Sequence, residues 1–253
     1  MIDIQTSKPP YYLAINKVGI KDIKHPVLID LENNTTQATI ASFDMMVALQ
    51  KNERGTHMSR FVEILNQQQW ILSGPCLAEL LAITAAKLNT HEVYIKSSFE
   101  FFINKQAPVS KIAGLVNYKA AFSGYYQHNN YNITVIVPVT SLCPCSKEIS
   151  DYGAHNQRSN ITISIATNAI ISLEWLVRLA EQQASCQLYS ILKRVDEKYV
   201  TEYAYNNPKF AEDIVRNIAN FLNNHPNIQS YTIESENFES IHNHSAYAMI
   251  KSS

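Results

Sequence analysis

Residues 140–158 hold two thiols (Cys143 and Cys145), a histidine (His155), two cations and two acids in one short segment. The segment follows a strongly apolar run, residues 133–139, which predicts a strand. Reactive side chains at this density add little to a hydrophobic core. Because thiolate and imidazole are preferred ligands of zinc and related metals, the segment is typical of a catalytic metal site.

The spacing of these ligands leaves their use open. A structural zinc finger carries CxxC pairs and four closed ligands, whereas Pro144 alone separates Cys143 from Cys145 and orients the two thiols differently. The residues are compatible with a metal site that uses a single thiol. They are equally compatible with two buried thiols beside a surface histidine.

A second polar segment, residues 235–245, contains Glu239 and His242 three positions apart. A carboxylate and an imidazole at this spacing would complete a catalytic metal shell. The alternative is a polar hairpin turn with incidental histidines, because His and Asn suit turns.

Acids concentrate in residues 196–202, which include Glu197, and again at Glu212 and Asp213. Acids at a helix start usually interact with the helix dipole or with solvent. A carboxylate in a pocket would instead accept hydrogen bonds from the amide and amino edge of a purine. Residues 51–60 combine cations and hydroxyls with a helix start, which suits phosphate binding or an ordinary polar loop.

Composition excludes several classes of protein. The chain has 253 residues, enough for one large domain or two modest ones, and its net charge of −1 argues against a general nucleic-acid binder. An anionic substrate must therefore be held by a local cluster of cations. The N-terminal residues lack a signal-peptide pattern and no apolar run is long enough to span a bilayer, so we expect a cytoplasmic protein with reduced cysteines and no membrane partner.

Hydrophobic periodicity predicts an α+β chain made of two similar halves. Each half reads as strands, two helices and strands, with a boundary near residues 106–112, so we predict modules at residues 1–108 and 109–253. The predicted helices are residues 58–65, 75–88, 172–183 and 208–222. The helix near residue 60 has Thr56 or Ser59 available as a cap. The last helix carries Phe210, Ile214, Ile218 and Phe221 on one stripe.

Four blocks of the sequence resemble a known family, the prokaryotic type IB form of GTP cyclohydrolase I. They are residues 138–158, which contain PVTSLCPC and GAHNQR, residues 54–60 (RGTHMSR), residues 196–202 (DEKYVTE) and residues 235–244 (SENFESIHNH). The resemblance covers nearly the whole chain in order. It implies a tunnelling fold, in which each chain has two β–α–α–β modules and subunits complete barrels around a tunnel. It also implies a homotetramer with active sites at subunit interfaces.

The resemblance further implies the chemistry of the site. Family members convert GTP and water to 7,8-dihydroneopterin triphosphate and formate, the first step of folate biosynthesis, with zinc, manganese or iron. The implied metal ligands are Cys143, His155, Glu197, Glu239 and His242.

Other residues would contact or process the substrate. Glu212 matches the acid that anchors guanine, and Cys145 would lie near the reacting carbon or replace Cys143 as a ligand. His155 and His242 are candidates to move protons during ring opening. The triphosphate candidates are Lys51, Arg54, His57, Arg60, Lys147 and Arg158.

Two other functions fit parts of the same sequence. A preQ0 nitrile reductase would share the fold, a purine-anchoring Glu and a reactive Cys, but it would need a basic NADPH motif that the sequence lacks. A non-catalytic, metal-stabilised binding module would use a closed, Cys-rich shell rather than this mixture of thiol, imidazole and carboxylate.

Overall fold

The computed structural model describes residues 8–252; the leader residues on which the signal-peptide prediction rests lie outside them. The described residues form ten strands and six α-helices, which confirms the α+β prediction. No helix among them has the length and hydropathy needed to cross a bilayer.

The strands are β1 (Ile15–Leu31), β2 (Thr35–Leu49), β3 (Ile71–Leu72), β4 (Val93–Gln106), β5 (Ala113–Tyr125), β6 (Tyr131–Leu142), β7 (Asn156–Thr167), β8 (Cys186–Gln187), β9 (Ile228–Asn237) and β10 (Ala246–Lys251). The helices are α1 (Met58–Leu65), α2 (Gly74–Leu88), α3 (Pro144–Ile149), α4 (Leu173–Gln183), α5 (Arg194–Asn206) and α6 (Ala211–Asn223).

The chain divides into two compact units that do not follow the sequence order. The first contains the described residues up to 100, with 121–133 and 167–170, and the second contains the rest. Strands β4, β5 and β6 each contribute residues to both units. The predicted boundary at residue 108 falls in the turn between β4 and β5, and the division into modules 1–108 and 109–253 stays a prediction.

The first unit is built on a long antiparallel hairpin. Strand β1 pairs with β2 and, in parallel, with the short β3, and β2 pairs with β4. Buried residues alternate with accessible ones along β2, the period expected of a sheet with one covered face. The helices α1 and α2 pack against each other and against β1 and β3.

Both predicted helices of the first unit are confirmed, and α2 begins at a side-chain cap. His57 is the N-cap of α1, rather than the predicted Thr56 or Ser59. Ser73 caps α2 by accepting a hydrogen bond from Cys76 N, 3.3 Å away. Gly74 is required at the start of α2, because a Cβ there would lie 1.9 Å from the Tyr131 ring.

The second unit has the strand order β10-β9-β7-β6-β5-β4, and β8 pairs with the end of β6. Helix α6 packs on β9 and β10. Of its predicted stripe, Ile214 and Ile218 are buried, whereas Phe210 and Phe221 are exposed. The buried face contains Val215 and Leu222 beside Ile214 and Ile218, so the predicted stripe was partly wrong.

Two helices of the second unit were not predicted. Helix α3 is six residues long, too short to show a period. Helix α5 buries only Asp196 and Ala204, so it has no apolar stripe to recognise. The simple plan of two helices in the second half was therefore incomplete.

A buried ion pair lies in the core of the second unit. Lys105 Nζ lies 2.7 Å from Glu181 Oε1, and Tyr118 donates to the same oxygen over 2.7 Å. Burial lowers the pKa of Lys105, and burial together with Glu181 raises the pKa of Tyr118. Because the carboxylate satisfies both donors, removing Glu181 would leave a buried ammonium without its counter-ion.

Asp196 fixes the turn between β4 and β5 to the start of α5. Its carboxylate accepts hydrogen bonds from Val109 N and Ser110 N at 2.8 Å each, from Lys193 N at 2.9 Å, and from the Ser110 hydroxyl. Burial raises the pKa of Asp196, but these hydrogen bonds outweigh burial and the net pKa lies well below its ordinary 3.8.

The change Asp196→Asn should destabilise the fold at neutral pH, because an amide nitrogen would face donors that now meet an oxygen. The carboxylate's contribution to the free energy of unfolding is complete above its unfolded-state pKa. It is lost as the pH falls through the lower folded-state pKa. Urea midpoints of the two proteins should therefore approach each other below about pH 4. A difference that stays constant into acid would contradict this role.

Trp70 connects α1 to the sheet of the first unit. Its Nε1 donates to the Leu65 carbonyl at the end of α1 over 3.0 Å, and its own carbonyl accepts from Leu28 N over 2.9 Å. The side chain is only 1% exposed. The indole therefore satisfies a helix-end carbonyl that would otherwise be buried without a partner.

We expect Trp70→Phe to lower the free energy of unfolding by about 1–3 kcal/mol, because it leaves the Leu65 carbonyl unpaired. The matched control is Trp175→Phe, since the chain has only two tryptophans and Trp175 lies partly exposed beside His225. Urea unfolding followed by circular dichroism measures both. Equal losses in the two variants would argue against the hydrogen bond as the cause.

Candidate active site

The two thiols of the Cys-rich segment lie where β6 ends and α3 begins. Cys143 is the N-cap of α3, and its Sγ accepts a hydrogen bond from Ser146 N over 3.4 Å. Pro144 occupies the first turn, where its fixed φ favours a helix start. Cys143 is partly buried and Cys145 is exposed, so the two thiols lie in different surroundings.

A short set of hydrogen bonds brings His155 back to Cys143. Cys143 N donates to the His155 carbonyl over 3.2 Å. Ser146 Oγ donates to the Cys143 carbonyl over 3.1 Å and accepts from His155 N over 3.2 Å. The loop between these residues is therefore closed at its base, and His155 directly precedes β7.

The His155 ring meets side chains from β7 and from the end of β9. Its Nδ1 lies 3.1 Å from Gln157 Oε1, 3.3 Å from Ser240 Oγ and 4.0 Å from Glu239 Oε2. Gln157 Nε2 donates to Glu239 Oε1 over 3.4 Å. The side chains of His155 and Glu239 are 15% and 12% exposed, so both are largely shielded from water.

Buried polar side chains hold the ends of the three strands in register. Phe238 N donates to the Arg158 carbonyl over 3.0 Å, which joins the end of β9 to β7. Asn237 Nδ2 donates to Ser141 Oγ over 3.3 Å, which joins β9 to β6. Cys143, His155 and Glu239 thus come from three strand ends that are tied to one another.

Glu197 and His242 are not part of this cluster. Glu197 lies exposed in the first turn of α5, and His242 lies exposed in the loop after β9, stacked on His244 with ring centroids 5.1 Å apart. Within residues 8–252 no three His, Cys, Asp or Glu side chains are close enough together to hold a metal ion.

The donor types at the cluster nevertheless suit a divalent metal. Cys143 offers a thiol, His155 an imidazole and Glu239 a carboxylate, the mixture found in catalytic rather than structural zinc sites. His155 uses Nδ1 toward Gln157, which leaves Nε2 as the ring atom for a metal. The three residues therefore fit a metal by donor chemistry, and their backbone positions place them near one another.

Glu212 lies in the first turn of α6 with its side chain exposed. The segment before this helix is joined to the Cys-rich region, because Lys209 N donates to the Leu142 carbonyl over 3.2 Å. Leu142 directly precedes Cys143. One backbone hydrogen bond thus connects the strand that carries the thiol with the helix that carries the acid.

The triphosphate candidates divide between the two units. Lys147 and Arg158 lie in the second; Lys147 Nζ donates to the Tyr205 carbonyl over 2.6 Å and lies 4.5 Å from the centre of its ring, whereas Arg158 is exposed. The other four lie in the first unit, between β2 and the first turns of α1: Lys51 and Arg54 are exposed, and His57 and Arg60 are partly buried.

Three residues of the site were not predicted: Ser146, Gln157 and Ser240. Each lies inside a segment that the sequence had already singled out. Gln157 follows His155 by two positions, and the alternation of a strand places such residues on the same face. That signal was available, but a glutamine without charge does not stand out beside a histidine and an arginine.

Comparison with known proteins identifies the family to which the chain belongs. A family model described as type I GTP cyclohydrolase folE2 matches residues 1–248. A GTP cyclohydrolase FolE2 of Nitrosomonas eutropha is 52% identical over 252 residues, which cover 98% of this chain and 94% of that protein. The GTP cyclohydrolase FolE2 of Methylobacillus flagellatus is also 52% identical, with the same coverage.

The chain therefore belongs to the type I GTP cyclohydrolase FolE2 family. Among solved structures, the alignment with a uricase from Arthrobacter globiformis covers 95% of this chain and 93% of the uricase chain, at 9% identity and a TM-score of 0.49. A likeness at that level carries no conclusion about fold or function.

The four cysteines should differ widely in reactivity. Burial raises the pKa of Cys76 to about 11, so only about 0.1% of it is thiolate at pH 8. Iodoacetamide should alkylate exposed Cys145 first in the native, metal-free protein, and Cys76 more than about 100-fold more slowly. Peptide mass mapping measures this, with urea-unfolded protein as the control in which all four react. Equal labelling of Cys76 and Cys145 in the native state would contradict it.

Proposed function

We propose that this chain is a GTP cyclohydrolase I, which converts GTP and water to 7,8-dihydroneopterin triphosphate and formate at the start of folate biosynthesis. The observation that carries the proposal is membership of the FolE2 family over nearly the full length. The cluster of Cys143, His155 and Glu239 at three joined strand ends supports the proposal, because its donor types suit that chemistry.

Cys143, His155 and Glu239 are the residues that would hold a zinc, manganese or iron ion, with Glu197 and His242 as further ligands of the assembled enzyme. When bound, such an ion lowers the pKa of water and so favours its attack on C8 of the purine. Cys145, the exposed second residue of α3, is accessible to act on the substrate or to replace Cys143 as a ligand.

Glu212 is the proposed anchor for the guanine base. A carboxylate accepts two hydrogen bonds side by side, which matches the N–H groups of the guanine amide and amino edge. The exposed position in the first turn of α6 leaves the carboxylate accessible to a ligand. The Lys209–Leu142 hydrogen bond joins the segment before this helix to the residue that precedes Cys143.

Proton transfers during ring opening and loss of formate fall to His155 and His242. An imidazole can take up and release protons near neutral pH, which suits a reaction with several such steps. The shielded His155 is oriented by Gln157 and Ser240, whereas His242 lies on an exposed loop that can approach the substrate.

The triphosphate requires several cations, and the proposed ones are Lys51, Arg54, His57, Arg60, Lys147 and Arg158. Lys147 lies in α3 and Arg158 lies in β7, both within the second unit. The four others precede or begin α1. A homotetramer with active sites at subunit interfaces would allow different subunits to supply these groups.

The proposed assembly is a tunnelling fold with modules at residues 1–108 and 109–253, in which barrels are completed by a cytoplasmic homotetramer. Exposed apolar side chains beside the site support a covering subunit: Ile149 is 84% exposed and Tyr152 is fully exposed. The edge strand β10 also presents Tyr247 and Met249 at 58% and 50% exposure.

The metal-stripped protein, supplied anaerobically with zinc, manganese or iron and with GTP, should release formate and a pterin that fluoresces after oxidation. Cys143→Ala should reduce turnover to below about 1%, because a ligand is lost. Glu212→Gln should lower kcat/KM by about 100-fold, because a charged hydrogen bond to the base is lost.

The matched control is Glu63→Gln, the same chemical change at an exposed position of α1, which should leave turnover unchanged. Circular dichroism and size-exclusion chromatography would confirm that each variant stays folded and assembled. Absence of pterin with every metal, from a folded wild-type protein, would overturn the proposed function.

A further inference from the structure

Gln157 joins His155 to Glu239 inside the candidate active site. Its side chain is buried, with only 9% of the residue exposed. Its Oε1 lies 3.1 Å from His155 Nδ1, and its Nε2 lies 3.4 Å from Glu239 Oε1. One amide group therefore contacts two of the proposed metal ligands at once.

The carboxylate determines which way this amide points. An ionised carboxylate only accepts hydrogen bonds, so the group that faces Glu239 must be the NH2 end of Gln157. The carbonyl end then faces the His155 ring, and a carbonyl also only accepts. The opposite orientation would place two acceptors together at Glu239.

The amide in turn determines the tautomer of His155. An imidazole nitrogen that faces a carbonyl oxygen at 3.1 Å makes a hydrogen bond only if it carries the proton. Ser240 Oγ, 3.3 Å from the same nitrogen, can act as acceptor because a hydroxyl rotates to suit its partner. Neutral His155 therefore carries its proton on Nδ1 and keeps the lone pair on Nε2.

We propose that Gln157 is a positioning residue, which transmits the orientation set by Glu239 to His155 and holds the lone pair of His155 on Nε2. The consequence for catalysis rests on the proposed function, because this tautomer of His155 makes Nε2 available as a ligand or proton acceptor. The tautomer itself is set by contacts within the folded chain and does not require metal or substrate.

Nitrogen-15 NMR of the metal-free protein, labelled at its histidines, tests the tautomer directly. The spectra are taken near pH 8.5, where an ordinary imidazole is neutral, and a His155→Asn variant identifies the signal among the eight histidines. We expect a protonated Nδ1 and an unprotonated Nε2 for His155. A proton on Nε2 in the wild-type protein would overturn the proposal.

One substitution and one control separate positioning from packing. Gln157→Met keeps the approximate shape of the side chain but removes both hydrogen bonds, so His155 should become a mixture of tautomers. The control is Ser159→Ala on the same face of β7, since the Ser159 hydroxyl has no hydrogen-bond partner within residues 8–252. An unchanged tautomer in Gln157→Met would overturn the role of Gln157.

Metal retention gives a second readout. Competition with a chelator should show about 10–100-fold weaker metal binding for Gln157→Met, and unchanged binding for Ser159→Ala. Equal retention in the two variants would contradict positioning of a ligand. If the NMR results hold but the wild-type protein releases no pterin, the proposed function fails and the role of Gln157 stands.

Discussion

The backbone hydrogen bond from Cys143 N to the His155 carbonyl is the contact on which the candidate site depends. It brings together two residues that the chain separates by a helix and a loop, at the point where β6 ends and β7 begins. Strands β6 and β7 are neighbours in the sheet, and this bond extends their pairing to the residues that carry the thiol and the imidazole. The Ser146 hydroxyl reinforces it by binding both residues, so the closure of the loop does not depend on one bond alone.

Buried polar groups hold these strand ends in place, but burying polar groups costs free energy of folding. Ser141, Ser235 and Asn237 are almost fully buried, and a buried polar group is expensive unless it finds a partner. Here Asn237 joins the two hydroxyls through its own amide, so the cost is largely offset. Such a satisfied chain favours one register of the strands, because any slip would leave several polar atoms unpaired at once. The same register places Glu239 against His155.

The sequence predicted the elements that have a period and missed those that do not. The apolar run predicted as a strand at residues 133–139 lies within β6, and helices α1 and α2 begin and end within one residue of the predicted 58–65 and 75–88. Helix α5 was missed because tertiary hydrogen bonds to Asp196, rather than an apolar stripe, hold its start. The ligand set came from the resemblance of the motifs, since spacing alone left the thiols undecided. Gln157 was overlooked because its role depends on two partners, one of them 82 positions away.

The proposed site residues fall into two groups with different physical surroundings. Cys143, His155 and Glu239 are partly or largely shielded and are oriented by hydrogen bonds within one chain, as expected of groups that must be in place before a ligand arrives. Glu197, Glu212 and His242 are exposed, and none of them lies in the hydrogen-bonded cluster. Residues that contact a substrate or a neighbouring subunit have to be accessible in the single chain, because their partners are separate molecules. Desolvation on assembly would strengthen their electrostatic interactions, since charges interact more strongly in a less polar medium. In the proposed enzyme, the chain would orient the thiol and imidazole itself, and the proposed assembly would complete the metal shell.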